Sequence, residues 1–169
     1  MTCIVGIEHN GAVYMAGDRS LCLGPDQHGL CRQPKVRKVG GLVMGCAGDS
    51  QACDLALTWT PPPYPSRVQP YPWLVHIVIP ALWDAMGSKP DVQVMLGLAG
   101  ELYQLDSSGG CWSDPRGYGA IGVDAAACAA LAIMSCGGWS TPKRRLTAAL
   151  KAAAEVCPWC REPFDFVRV

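Results

Sequence analysis

The chain has 169 residues, about the size of one domain, and half of it is apolar with only 17% charged, so core material is ample and disorder is not expected. Lysine plus arginine and aspartate plus glutamate number 14 each, which excludes the basic footprint that nucleic acid or an anionic membrane surface requires. No apolar run reaches the roughly 18 residues of a spanning helix, the longest, Trp73 to Trp83, being interrupted by His76 and Pro80, and Met1 to Ile7 lacks the features of a secretory signal, so the expectation is a cytoplasmic protein with no membrane partner.

Two β-prone runs, Cys3 to Glu8 and Ala12 to Ala16, flank His9-Asn10-Gly11, and an Asn-Gly pair in that setting predicts a hairpin. The second strand ends at Gly17-Asp18-Arg19. Ser20 to Pro34 then carries Gly24-Pro25-Asp26 and Gly29 and reads as a loop. Lys35 to Val39 and Leu42 to Ala47 form a further strand pair about Gly40-Gly41. Asp49-Ser50 is an N-cap signal for a helix whose Ala52, Leu55, Ala56 and Trp59 recur at helical spacing until Pro61-Pro62-Pro63 stops it. A proline-rich connector leads to a second helix within Val68 to Gly87, bent at Pro80.

Val92 to Leu98 and Glu101 to Leu105 predict a hairpin about Ala99-Gly100, followed by a short strand at Tyr118 to Gly122. The alanine-rich segment Asp124 to Cys136 and the segment Lys143 to Val156, opened by the cap and proline of Thr141-Pro142, predict two helices. Phe164 to Val169 alternates as a closing strand. Strands and helices thus come in separate runs, which points to an α+β protein, a four-layer αββα sandwich, with residues 1–169 as one domain.

Loss of Met1 makes Thr2 the first residue. A terminal threonine offers a hydroxyl nucleophile and, on the same residue, an α-amine of reference pKa about 7.7–8.0 to act as its base. A neighbouring cation favours the neutral, proton-accepting amine, and a carboxylate holds that cation in place. Asp18 at a strand end and Lys38 in the third predicted strand are the candidates. Cys157-Pro158-Trp159-Cys160 follows a helix rather than opening one and has no second ligand pair, so it reads as a turn rather than a redox or zinc motif. The ten cysteines, scattered from Cys3 to Cys160, read mostly as reduced, buried small hydrophobes.

Taken in order, Thr2-Cys3-Ile4-Val5-Gly6, Met15-Ala16-Gly17-Asp18-Arg19, Val36-Arg37-Lys38-Val39 and Gly45-Cys46-Ala47-Gly48 resemble the proteasome β-subunit and HslV branch of the N-terminal nucleophile hydrolases. Ala120-Ile121-Gly122 before an alanine-rich helix is similar to that family's second half. The resemblance implies an αββα sandwich and a threonine-type peptidase with no cofactor and no metal. It implies Thr2 as nucleophile, Asp18 and Lys38 as the acid and lysine that tune it, and the Gly48 N–H as oxyanion donor. It further implies Cys46 at the base of the primary specificity pocket, Ser20, Leu21 and Cys22 on the strand that pairs with an extended peptide, and Ser50 among the substrate contacts. Subunits of this kind assemble into rings or stacked rings that take protein or peptide substrates, and an ATPase unfoldase is the partner implied. The family's Gly-Ser-Gly is replaced here by Gly122-Val123-Asp124, a valine where a hydroxyl is expected, with Asp124 as a stand-in. Two other readings stay open: a catalytically silent shell or assembly subunit, and an amidase acting on a small amide.

Overall fold

The computed structural model describes residues 2–24, 27–87, 91–137 and 141–169. Met1, Pro25 and Asp26, on which parts of the sequence reading fall, lie outside the described residues. No helix among the described residues is long and apolar enough to cross a membrane.

Strands β1 (Cys3–His9) and β2 (Ala12–Asp18) pair antiparallel from Ile4↔Gly17 to His9↔Ala12. Asn10 and Gly11 between them take positive φ, 50° and 71°, as the predicted two-residue turn demands. The predicted loop after Asp18 is instead a second hairpin, β3 (Ser20–Gly24) with β4 (Gln27–Leu30), carrying an irregularity between Cys22 and Gly24. Strands β5 (Val36–Val39) and β6 (Leu42–Gly48) follow. Helix α1 (Ser50–Thr58) is capped by Asp49, whose side chain accepts from the Ala52 N–H at 2.8 Å.

The second helical region comprises α2 (Pro70–Trp73), a wide turn over Leu74–Val78 and α3 (Ile79–Met86). The wide turn ends just before Pro80, where the Ile79 N–H reaches back five residues to the Leu74 carbonyl. Pro80 has no N–H to restore the four-residue repeat at the next position. Then come β7 (Val92–Leu98), β8 (Glu101–Leu105), the unforeseen two-residue β9 (Cys111–Trp112), β10 (Tyr118–Gly122), α4 (Asp124–Ser135), α5 (Pro142–Val156) and β11 (Phe164–Arg168).

The strands form a four-stranded sheet in the order β10-β1-β2-β11 and a five-stranded sheet in the order β5-β6-β7-β8-β9, with β3-β4 as a separate hairpin. Alternation along β1 divides its side chains between two layers. Ile4 faces the second sheet with Val13, Met15, Val43, Met95 and Leu102, whereas Cys3, Val5 and Ile7 face α4 and α5. Those two helices present Ala126, Ala130, Ala149 and Ala153, small residues that allow helix and sheet to approach closely, with Met134, Leu146 and Leu150 filling the space between. On the other side, Ala52 and Ala56 of α1 and Leu82 and Met86 of α3 cover Met44, Val94 and Leu96. Each fully buried Leu, Met or Ile is worth about 1.5–3 kcal/mol against exposure, so the three apolar layers hold the helix-sheet-sheet-helix stack. The αββα sandwich follows from the segregated runs of strands and helices, as the sequence indicates.

Candidate active site at the first strand

Thr2 leads into β1, the second strand of its sheet, and is held from two sides. Its carbonyl accepts from the Val123 N–H at 2.9 Å. Gly122, opposite Cys3 in the register, has φ +113°, and a Cβ there would lie 1.9 Å from the Thr2 carbonyl oxygen, so only glycine fits. The next amide, Cys3 N–H, donates to Asp18 Oδ1 at 2.8 Å.

Asp18 is fully buried at the end of β2. Its Oδ2 accepts from the Ser20 N–H at 2.7 Å and from Lys35 Nζ at 3.0 Å. Lys35 Nζ also donates to the Ser20 carbonyl at 2.5 Å, and its side chain is only 14% exposed. The ammonium beside Asp18 is therefore Lys35, and the expectation of Lys38 is corrected. Lys38 lies in the middle of the edge strand β5, opposite Val43, where its side chain is exposed. Lys35 precedes that strand, tied to β6 by the Cys46 N–H donating to its carbonyl at 3.4 Å, and so reaches the end of β2.

A cavity of about 320 Å³ opens beside Thr2. Ser20, Leu21, Cys22, Cys46, Gly48 and Ser50, all singled out from the sequence, line it together with Lys35, Cys31 and Cys53. Ser20 is buried, and its hydroxyl has no partner among the described residues. A second cavity of about 330 Å³ shares Thr2 and Gly48 with the first and continues past Asp91, Gln93, Gly122 and Val123. Gly48 has φ +130°, and a Cβ there would stand 2.2 Å from the Asp91 carbonyl oxygen. Asp124 is exposed in the first turn of α4 and lines neither cavity.

Two thiols of the region, Cys3 and Cys46, are held neutral. A hydrogen bond with the Cys160 thiol, reinforced by burial, pushes the Cys3 thiol far up, and the Cys53 thiol together with burial does the same to Cys46. Neither supplies a thiolate to compete with the Thr2 hydroxyl at neutral pH. The Cys160 N–H donates to the Cys157 carbonyl at 3.0 Å, so Cys157 to Cys160 is a turn, packed beneath β1. No three His, Cys, Asp or Glu side chains among the described residues converge as metal ligands.

Arg19 makes a two-pronged contact with Asp165 of β11 at 2.6 Å on each oxygen, and its third nitrogen donates to the Arg32 carbonyl at 3.2 Å. This pins the β3–β4 hairpin at the mouth of the first cavity. Lys35, Gln93, Cys31 and Cys53 were not singled out from sequence. For Lys35 the run Lys35-Val36-Arg37-Lys38 offers two equivalent lysines, and for Gln93 no local signal exists.

No protein-family model matches the chain, and no curated protein matches it. Solved structures do. Eukaryotic HslV from Trypanosoma brucei is 19% identical over 99% of this chain and 98% of its own, with TM-score 0.71. BPH from Thiobacillus denitrificans, solved in complex with epoxomicin, is 14% identical over 99% of this chain and 98% of its own, with TM-score 0.74. Anbu from Pseudomonas aeruginosa, solved as a helical assembly, is 15% identical over 99% of this chain and 81% of its own, with TM-score 0.70. At such identities the likeness is one of architecture, and it extends over nearly the whole chain: this protein has the αββα fold of HslV and Anbu.

Proposed function

We propose that the chain is a threonine-type peptidase whose nucleophile is the hydroxyl of Thr2 once Met1 is removed. The observation that carries this reading is the buried Asp18 carboxylate, which joins the Cys3 N–H beside Thr2 to the Lys35 ammonium. In the mechanism, the Thr2 α-amine takes the hydroxyl proton as the oxygen attacks a peptide carbonyl. Lys35 supplies the positive charge that keeps the amine neutral, and Asp18 keeps Lys35 in place. The Gly48 N–H meets the developing oxyanion, a contact worth about 2.7–4 kcal/mol in comparable acyl transfers. The amine returns the proton to the leaving nitrogen, and water then releases the acyl group from Thr2. No metal or organic cofactor takes part.

An extended peptide adds alongside Ser20, Leu21 and Cys22, with backbone hydrogen bonds for affinity. Its side chain enters the cavity with Cys46 at one wall and Ser50 at the rim, which suits a medium-sized apolar residue. The helical assembly of Anbu supports self-association, and we extend it to a homo-oligomeric ring or stack of rings enclosing the site, in the cytoplasm, fed by an ATPase unfoldase. The complex of Thiobacillus BPH with epoxomicin supplies the probe. Protein beginning at Thr2 is incubated with a peptide epoxyketone and its mass measured. An adduct on Thr2 and cleavage of fluorogenic peptides, both lost in Thr2→Ala, are expected; a processed protein that gives neither overturns the reading. Val123, which brings no hydroxyl to Thr2, favours a second reading, a silent shell subunit. Retention of Met1 in native material, seen by intact mass, selects it.

A further inference from the structure

Strand β10 is the outer strand of its sheet, and successive N–H groups along a strand point to opposite sides. The Val123 N–H turns inward to the Thr2 carbonyl, so the Gly122 N–H turns outward, away from β1. It is met there by a side chain of the other sheet: Gln93 Oε1, from β7, accepts it at 2.8 Å. An N–H donor fixes the orientation of the carboxamide, because only its oxygen can accept. The link therefore runs from Gln93 to Gly122, through the peptide to Val123, and on to Thr2. The backbones of Gly122 and Thr2 are in contact, as the 1.9 Å clearance for a Cβ shows. Gln93 and Thr2 also line the same cavity.

We propose that Gln93 is a positioning residue for Thr2: its carboxamide oxygen fixes Gly122 and Val123 across the sheet interface and so sets the orientation of the nucleophile. The inference rests on the peptidase reading above. It accounts for a site in which position 123 contributes a backbone N–H but no hydroxyl. The amide is also the one hydrogen-bonding group of this length and shape that carries no charge. A carboxylate in its place accepts the same N–H but adds an anion to the wall of the cavity that Thr2 also lines, which raises the Thr2 amine's proton affinity.

Two variants of protein beginning at Thr2 separate positioning from mere stability. Gln93→Leu keeps the bulk and removes the acceptor; Gln93→Glu keeps the acceptor and adds the charge. Three readouts are taken: hydrogen exchange at the Gly122 amide, the Thr2 α-amine titration by NMR, and kcat and KM for a peptide. In Gln93→Leu, Gly122 exchange is expected to rise about tenfold and kcat to fall about three- to tenfold with KM within twofold, the scale of one hydrogen bond. In Gln93→Glu, Gly122 protection is expected to stay and the amine titration to move up by about half a unit to one unit. The acid limb of the pH–rate profile moves with it. Unchanged Gly122 exchange in Gln93→Leu, or an unmoved Thr2 titration in Gln93→Glu, overturns the proposal. If Gln93→Leu does not fold, Gln93→Met, which keeps the length and removes the acceptor, is read by the same Gly122 exchange and kcat, and unchanged values there overturn the proposal. A wild-type protein that cleaves nothing while both NMR effects appear overturns the peptidase reading and leaves the link from Gln93 to Thr2 supported.

Discussion

Replacing Lys35 by methionine removes the charge while keeping most of the side-chain volume, and the geometry sets the scale of the effect. Asp18 is fully buried and Lys35 is 14% exposed, so the pair is largely screened from water. Breaking a buried pair by removing one partner costs about 3–5 kcal/mol when the other charge is left uncompensated. Here the Cys3 and Ser20 N–H groups still hold the carboxylate, so the cost is placed lower, at about 2–4 kcal/mol. With a urea slope of about 2 kcal/mol per M, the unfolding midpoint falls by about 1–2 M.

Lys38→Met, at an exposed position on the edge strand, stays within about 0.5 kcal/mol of wild type. Activity provides the second half of the assay. Without the Lys35 charge the Thr2 amine binds its proton more tightly, so activity at neutral pH drops and is partly recovered as pH rises. A double-mutant cycle with Asp18→Asn isolates the pair. Equal behaviour of Lys35→Met and Lys38→Met in both unfolding and pH–rate profile refutes the reasoning.

Other outcomes are as specific. Gly122→Ala sets a Cβ 1.9 Å from the Thr2 carbonyl oxygen at φ +113°, so it is expected to be destabilised by several kcal/mol in thermal unfolding, about 2–4 or more; a melting temperature equal to wild type contradicts the described packing. Timed alkylation with iodoacetamide at pH 8 should label the exposed Cys128 and Cys136 first and leave Cys3 and Cys46 unmodified in the folded protein. Burial pushes the Cys111 thiol up to about 11. About one molecule in a thousand carries that thiolate at pH 8, so its labelling should accelerate tenfold per pH unit below that value. The Arg116 guanidinium, with the Arg116 N–H, holds the Asp114 carboxyl down at about 2. Because this pKa lies below the ordinary carboxylate value, the contribution of the pair is present above that value and is lost as pH falls toward 2. NMR titration should show it, with Arg116→Ala moving Asp114 only part of the way up toward the usual range, because the backbone N–H of residue 116 still donates to it.

The parts of the fold that sequence reveals are those fixed by local chemistry. The Asn10-Gly11 turn, the Asp49 and Thr141 caps and the proline at the start of α5 act within a few residues, so the pattern carries them. The β3–β4 hairpin escapes notice because its glycines and proline punctuate a segment whose strand character comes from pairing and from the Arg19 clamp on Asp165. Thr2, Ser20, Leu21, Cys22, Cys46, Gly48 and Ser50, half of the residues lining the first cavity, are legible in the sequence, yet the lysine is misassigned by three positions. Two lysines flank Val36-Arg37, and only the location of the end of β2 relative to the start of β5 tells them apart. Gln93 is invisible for the same reason: its partner is 29 residues away in the other sheet, and a contact across sheets leaves no periodic trace.

The strand order also sets a sequence of events in synthesis. Strand β11 lies beside β2, with Phe164 opposite Asp18, and Arg19 is clamped by Asp165. The ribosome delivers Thr2 about 160 residues before that flanking strand, an interval of about 8–30 s at ordinary elongation rates. Throughout that interval the first residues exist without the edge that completes their sheet and anchors the hairpin at the cavity mouth. A nascent chain thus carries Thr2 and the buried Asp18 well before the strand that borders them, so the surroundings of Thr2 are completed only when the last residues have been added.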